Sequence, residues 1–381
     1  MRRFLKVILV LVLVLILVCS VTACNKNSTK CPKLENSGIE HELEFGGIYI
    51  KSTISNFNAL GFKYGDSVNI KFSNGYTLED IPYYNGYYTL NGEKILVAYP
   101  GYPYIRLGIN NGDDLWPIAG VTDTDTATVT LNTAAKYIDV QNARDIHYSD
   151  EKGADQSDAS FANFRCVTVG NLKANTFYRS ASPCDNQHNR AGYVNTLIEA
   201  AGIQYILNLA DTQSKIDGYM SEEGFNTRSS YFLTLYNADK VNLMGLNTNF
   251  ESEGFKNKLI TGLRGMIDNE GPYLIHCTEG KDRTGFVCIL LEALAGASYQ
   301  EIVDDYMITY DNYYGITSTS DSSRYNTIVE TVFDPMVQII AGNGANIKTA
   351  NLAVGARSFL QGAGLNEAEI TSIYNRIANN D

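Results

Sequence analysis

The stretch that decides the reading is YLIHCTEGKDRTGFVCILLEAL, Tyr273 to Leu294. Tyr273, Leu274 and Ile275 form a short apolar run of strand character, His276 and Cys277 break it, and apolar sequence resumes from Phe286 to Leu294 as a buried helix. Between the two lies a polar turn of Thr278, Glu279, Gly280, Lys281, Asp282, Arg283 and Thr284. Five residues separate Cys277 from Arg283. A loop of that length between a strand and a helix can curl until its backbone N–H groups converge on one anion, aided by the positive end of the following helix. The same field stabilises a thiolate, which makes a cysteine at that position a nucleophile. Arg283 would close the ring with a planar fork matched to two phosphate oxygens. Gly280 would permit close backbone approach or positive φ.

Upstream, the order of elements places this loop. Tyr193 to Ala201 is helix-like, Gly202 to Leu209 reads as a buried strand, and Tyr231 to Tyr236 reads as another. Phe255, Leu259, Leu263 and Met266 share one helical face, and Gly271-Pro272 stops that helix before Tyr273. Alternating strands and helices imply an α/β domain with a central, mainly parallel sheet flanked by helices. The loop then lies at the C-terminal end of a strand, where such sheets hold ligands. Ser298 with Glu301 and Asn366 with Glu369 have capping-box spacing before two amphipathic helices.

The sequence HCTEGKDRTG, 276–285, resembles the HC-x5-R-[ST] signature loop of the cysteine-dependent protein tyrosine phosphatase superfamily. Its GKDRTG ending is similar to that of bacterial tyrosine and dual-specificity phosphatases, some of them secreted or active on phosphoinositides. NFR at 163–165, FYRSASP at 177–183, AGIQYILNLAD at 201–211, DDYM at 304–307 and SFLQGAGLNEAEI at 358–370 extend the resemblance over residues 160–381. It implies that Cys277 attacks phosphorus to give a cysteinyl-phosphate, which water then hydrolyses without a metal or other cofactor. Arg283 and the amides of Thr278, Glu279, Gly280 and Lys281 would hold the phosphate. Thr284 would hydrogen-bond the sulfur, and His276 would orient the loop rather than act as a base. Two aspartates compete as the acid that protonates the leaving oxygen. Asp239 lies 38 residues before Cys277, and Asp282 lies inside the motif, which fixes its position and makes it the preferred one. Where the family has Asp-Leu-Arg, this chain has Asn208-Leu209-Ala210-Asp211, so substrate contacts do not carry over from those positions. Lys281, with Arg179 and Lys215 behind it, would be the positive group for a substrate with more than one phosphate. The substrate is then a phosphotyrosine protein or a phosphoinositide. A phytase-like inositol-phosphate phosphatase and a non-catalytic phosphate-binding surface lipoprotein are the alternatives.

The remainder bounds these expectations. The formal charge is −12, which argues against nucleic acid as a partner. Arg2, Arg3 and Lys6 precede an unbroken apolar run, Val7 to Val18, and Val21-Thr22-Ala23-Cys24 resembles a lipobox. Residues 1–23 are therefore expected to be a lipoprotein signal peptide, and Cys24 the lipidated residue holding an extracytoplasmic protein to the membrane. Residues 24–44 read as a tether. Residues 45–148 read as a small all-β barrel or sandwich, from short apolar runs at 48–52, 68–72, 87–90, 95–98, 104–107 and 127–131 with Asn-Gly and similar turns between them. Its tyrosines, Tyr83, Tyr84, Tyr87, Tyr88, Tyr99, Tyr102 and Tyr104, are expected mainly in the core; its partner is unknown, and a surface adhesion role is one reading. The polar segment 149–160 marks the boundary to the second domain. In an oxidising compartment Cys166 and Cys184 are the expected disulfide pair, and Cys288 a buried structural thiol.

Overall fold

The structure, a computed structural model, describes residues 31–379. Residues 1–30 lie outside the described residues, and with them the signal-peptide and Cys24 assignments. The described chain forms two units, the first made of residues 31–87, 94–109 and 114–137 and the second of residues 88–93, 110–113 and 138–379.

The first unit is a closed barrel in the order β1-β2-β6-β5-β4-β3-β7. Its strands are β1 (Lys33–Glu42), β2 (Gly47–Ile50), β3 (Ser67–Phe72), β4 (Thr77–Tyr84), β5 (Lys94–Val97), β6 (Ile105–Ile109) and β7 (Thr126–Thr133). Only β4 and β5 run parallel. Alternate residues such as Ile48, Ile50, Val68, Ile70, Leu107 and Val129 fill the interior, the period-two pattern that sheet pleating imposes. β1 corrects the tether: Lys33 to Glu42 is a barrel strand, although Ile39 is its only buried apolar residue. β4 is a second unforeseen strand, with Asp80 at positive φ between its pairings to β3. Residues 87–90, expected as strand, form no strand. The tyrosines divide, with Tyr83 and Tyr84 buried and Tyr99 exposed.

The second unit is built on a five-stranded sheet in the order β11-β10-β12-β9-β8. The strands are β8 (Arg165–Cys166), β9 (Phe177–Ser180), β10 (Tyr205–Asn208), β11 (Val241–Leu243) and β12 (Tyr273–His276). Four are parallel and β8 is antiparallel. Phe177, Leu207, Tyr273 and Ile275 face a core shared with the helices Glu253–Asp268 and Asp282–Leu294. Tyr178, Ile206 and Leu274 face the opposite one, with Val194, Ile198 and Phe232 from the helices Ala191–Ala200 and Ser230–Asn237. Both sheet faces are thus covered, as a parallel sheet requires. Ser180, Asn208 and His276 are in register, so β9, β10 and β12 end together and their following loops meet at one edge.

Three expectations change here. Tyr231 to Tyr236 is not a strand but part of the helix Ser230–Asn237, whose Phe232 and Leu235, three apart, are buried. The continuous part of the unit begins at Ile138 rather than beyond residue 149, because the helix Ile138–Arg144 buries Ala143 in the sheet's larger core. Cys166 and Cys184 are both free thiols. Cys166 sits opposite Tyr178 within the sheet, whereas Cys184 lies beyond the end of β9 with Ser182 and Asp211. Both capping boxes are formed.

Candidate active site

The loop from Cys277 to Lys281 connects β12 to the helix Asp282–Leu294, the hydrophobic axis of the unit, buried from Thr284 through Leu294. Among the described residues, the backbone N–H groups of Thr278 through Thr284 donate to no protein acceptor. Unsatisfied donors are expected in the first turn of a helix, but here they extend back through the whole loop, which makes it an anion cradle. Cys277 opens that loop and is 3% exposed. Arg283 follows, its guanidinium donating to the Leu246 carbonyl and to Thr278 Oγ1, each at 3.3 Å. The Thr284 hydroxyl is buried and has no hydrogen-bond partner among the described residues.

The loop is pinned from beneath by charges the motif does not contain. Arg179 on β9 is fully buried and donates to the Gly280 carbonyl at 3.0 Å and to Asp305 at 2.9 Å. Arg165 on β8 grips the same Asp305 at 2.8 and 3.1 Å. Asn163 donates to the carbonyls of Glu279 and Gly280 at 3.2 and 3.3 Å. Burial alone would raise the Asp305 carboxyl, but Arg165 and Arg179 hold it below the ordinary carboxylate range. Beside it, burial and the Asp305 charge push the Glu292 carboxyl well above its usual value. Two arginines thus face the Asp305 carboxylate, with Glu292 behind it. Arg179 is therefore a scaffold group and not a substrate ligand, which corrects one expectation. Lys215 is half exposed and 3.9 Å from Asp211.

Gly280 has φ +70°, and a Cβ there would lie 2.2 Å from the Ser180 carbonyl oxygen. The loop is packed backbone to backbone on the end of β9, and Ser182 N–H donates to the Thr278 carbonyl at 3.0 Å. His276 is buried, and desolvation lowers its imidazole to about 4. It is neutral and its Nδ1 lies 3.3 Å from the Cys277 carbonyl, a contact that orients the start of the loop.

On the outer side the loop meets tyrosines. Tyr313 donates to the Glu279 carbonyl at 2.6 Å. Tyr148 donates to the Glu279 carboxylate at 2.7 Å. Burial pushes the Glu279 carboxyl up, but Lys281, 3.1 Å away, and the Tyr148 hydrogen bond hold it below its usual value. Lys281 is also 3.9 Å from Asp282 and 3.4 Å from the Tyr314 hydroxyl. Burial disfavours its charge, yet Asp282 and Glu279 keep it cationic.

The two candidate acids separate. Asp282 is the first residue of the helix that follows the loop, at the cradle. Asp239 precedes β11, which runs parallel to β10 and β12 with Leu243 level with His276. Four residues before that level is about 13 Å back along the strand, toward the opposite edge of the sheet. That position sets Asp239 apart from the cradle. Tyr148, Asn163, Arg165, Tyr313 and Asp305 were not foreseen as site residues. Of these only Asn163, Arg165 and Asp305 lay in segments that resemble the family.

No curated protein sequence matches this chain. Seven chains of known structure do. One is the core catalytic domain of the PP-IP phosphatase SIW14 from S. cerevisiae in complex with citrate, 21% identical, covering 47% of this chain and 90% of that one, with a TM-score of 0.25. The family model for the tyrosine phosphatase family matches residues 138–379. The chain belongs to the tyrosine phosphatase family and is a cysteine-dependent phosphatase.

Proposed function

We propose that the second unit hydrolyses phosphotyrosine in proteins, with Cys277 as nucleophile. The observation that carries this is the run of N–H groups from Thr278 to Thr284 that find no acceptor among the described residues, closed by Arg283, beside the Cys277 thiol. The thiolate attacks phosphorus, the P–O bond to the leaving group breaks, and Asp282 supplies its proton. Water then displaces the sulfur, and the Thr284 hydroxyl hydrogen-bonds the departing thiolate. Arg283 and the amides carry the charge of both transition states. Thr278, Glu279, Gly280 and Lys281 serve through their backbone.

The choice of an aryl monophosphate rests on the rim. Lys281 is neutralised by Glu279 and Asp282, and Arg179 is buried under the loop, so few free positive charges remain for a second phosphate. Tyr148, Tyr313 and Tyr314 instead offer aromatic surface, their ring centroids 4.7 to 5.9 Å apart. The experiment is hydrolysis of para-nitrophenyl phosphate, then of a phosphotyrosine peptide against phosphoinositides and inositol phosphates, by residues 25–381 beside Cys277→Ser with EDTA present. Turnover that survives EDTA and vanishes in the variant supports the mechanism. Inactivity of the reduced wild type would leave a phosphate-binding protein. Preference for inositol substrates would sink the aryl assignment.

We further propose, from residues 1–24 alone, that Cys24 carries lipid and that the protein works outside the cytoplasm. Incorporation of labelled palmitate that persists in Cys24→Ala would contradict this.

A further inference from the structure

Beside the loop runs a chain of hydrogen bonds that the proposed chemistry does not use. Asp150 Oδ1 lies 2.9 Å from His188 Nδ1. His188 Nε2 lies 3.1 Å from the Tyr148 hydroxyl, which lies 2.7 Å from Glu279 Oε1. The other Glu279 oxygen faces Lys281 Nζ at 3.1 Å. Arg190 lies over the Tyr148 and Tyr313 rings, 4.9 and 4.8 Å from their centroids, and 3.6 Å from Asp150. The charged and titratable groups facing His188 are thus Asp150 and Tyr148 directly, Arg190 on its own segment, and Glu279 with Lys281 across Tyr148.

Counting hydrogens restricts the state of this chain. Three contacts, Asp150 to His188, His188 to Tyr148 and Tyr148 to Glu279, need three hydrogens. Ionised Asp150 and Glu279 only accept, and Tyr148 has one hydrogen to give. A neutral imidazole brings one more, leaving one contact without a hydrogen, whereas an imidazolium brings two and completes all three. In the neutral tautomer that serves Asp150 through Nδ1–H, Nε2 becomes an acceptor and competes with Glu279 for the Tyr148 hydrogen.

We propose that Tyr148 and His188 are positioning residues of the phosphatase site. Doubly protonated His188 fixes the Tyr148 hydroxyl on Glu279 and keeps that carboxylate beside Lys281, turned from the incoming phosphate. Loss of the His188 proton frees Glu279 within the cradle, where its charge opposes a phosphate dianion. The consequence is weaker substrate binding at higher pH, with little change in kcat. The inference rests on the phosphatase reading and adds a control on its substrate affinity.

The test is KM for para-nitrophenyl phosphate across roughly pH 5 to 8, the window of imidazole titration. Wild type, His188→Gln, His188→Ala and Tyr148→Phe are compared as full chains. Glutamine keeps an N–H donor for Tyr148 that cannot titrate. Wild-type KM should rise about tenfold with pH, the order expected for losing one hydrogen bond to a charged group. The midpoint should coincide with the His188 titration followed by NMR. His188→Gln should lack that rise, and His188→Ala and Tyr148→Phe should show the high KM throughout. Superimposable KM profiles of wild type and His188→Gln, or a folded Tyr148→Phe with wild-type KM, would overturn the proposal. Calorimetric binding of inorganic phosphate over the same pH range makes the comparison without turnover. An inactive wild type whose phosphate affinity still follows His188 would therefore sink the catalytic reading and keep this one.

Discussion

Gly280→Ala probes the loop at its tightest point. The added Cβ would lie 2.2 Å from the Ser180 carbonyl oxygen and 3.0 Å from the Ala181 nitrogen, both backbone atoms that no rotamer change can move aside. An ordinary carbon to oxygen contact is about 3.3 Å, so the loop must shift by about 1 Å from β9. Displacement of that size in a positioned site lowers activity about a hundredfold, or about 2.7 kcal/mol of barrier. Holding alanine at φ +70° adds about 1–2 kcal/mol of strain, a fall in Tm of about 2–8 °C for a unit of this size. Gly296→Ala is the control, because Gly296 has φ +83° with nothing within 4 Å of its Cβ. It should lose stability and keep kcat/KM. Para-nitrophenyl phosphate kinetics and thermal melts read the two effects separately. Wild-type kcat/KM in a Gly280→Ala protein would refute the claim that backbone contact with β9 sets the loop.

The remaining predictions concern charge. Asp305→Asn removes the carboxylate between Arg165 and Arg179, leaving a fully buried and a part-buried cation without it; chemical denaturation should show a loss of about 3–5 kcal/mol. Because Arg165 and Arg179 hold Asp305 below its unfolded value, its contribution is complete above the ordinary carboxylate range and is lost as acid protonates it. The stability of wild type should therefore fall more steeply below about pH 4 than that of the variant. Asp282→Asn should lower turnover of an alkyl phosphate by about a hundredfold or more and of para-nitrophenyl phosphate by less, since nitrophenolate needs little protonation to leave. Asp239→Asn should match wild type on both, and a large loss there would restore it as the acid.

The sequence by itself determined the loop, the strand and helix that flank it, and both capping boxes, because each is local. The strand, turn and helix between Tyr273 and Leu294 are specified by residues a few positions apart, and the chemistry of Cys277 and Arg283 follows from their spacing. β1 and β4 were not legible, since a barrel strand needs only alternate inward residues and β1 buries a single apolar side chain. Phe232 and Leu235 misled in the other direction, as a short apolar run fits a strand or a buried helix and only packing decides between them. The tertiary structure alone decided what holds the loop. Asn163, Arg165 and Arg179 lie about a hundred residues or more before the loop and Asp305 that they grip, and Tyr148 and His188 carry no motif. It also separates the two aspartates in space, because the direction of β11, not the distance in sequence from Cys277, sends Asp239 to the far edge of the sheet.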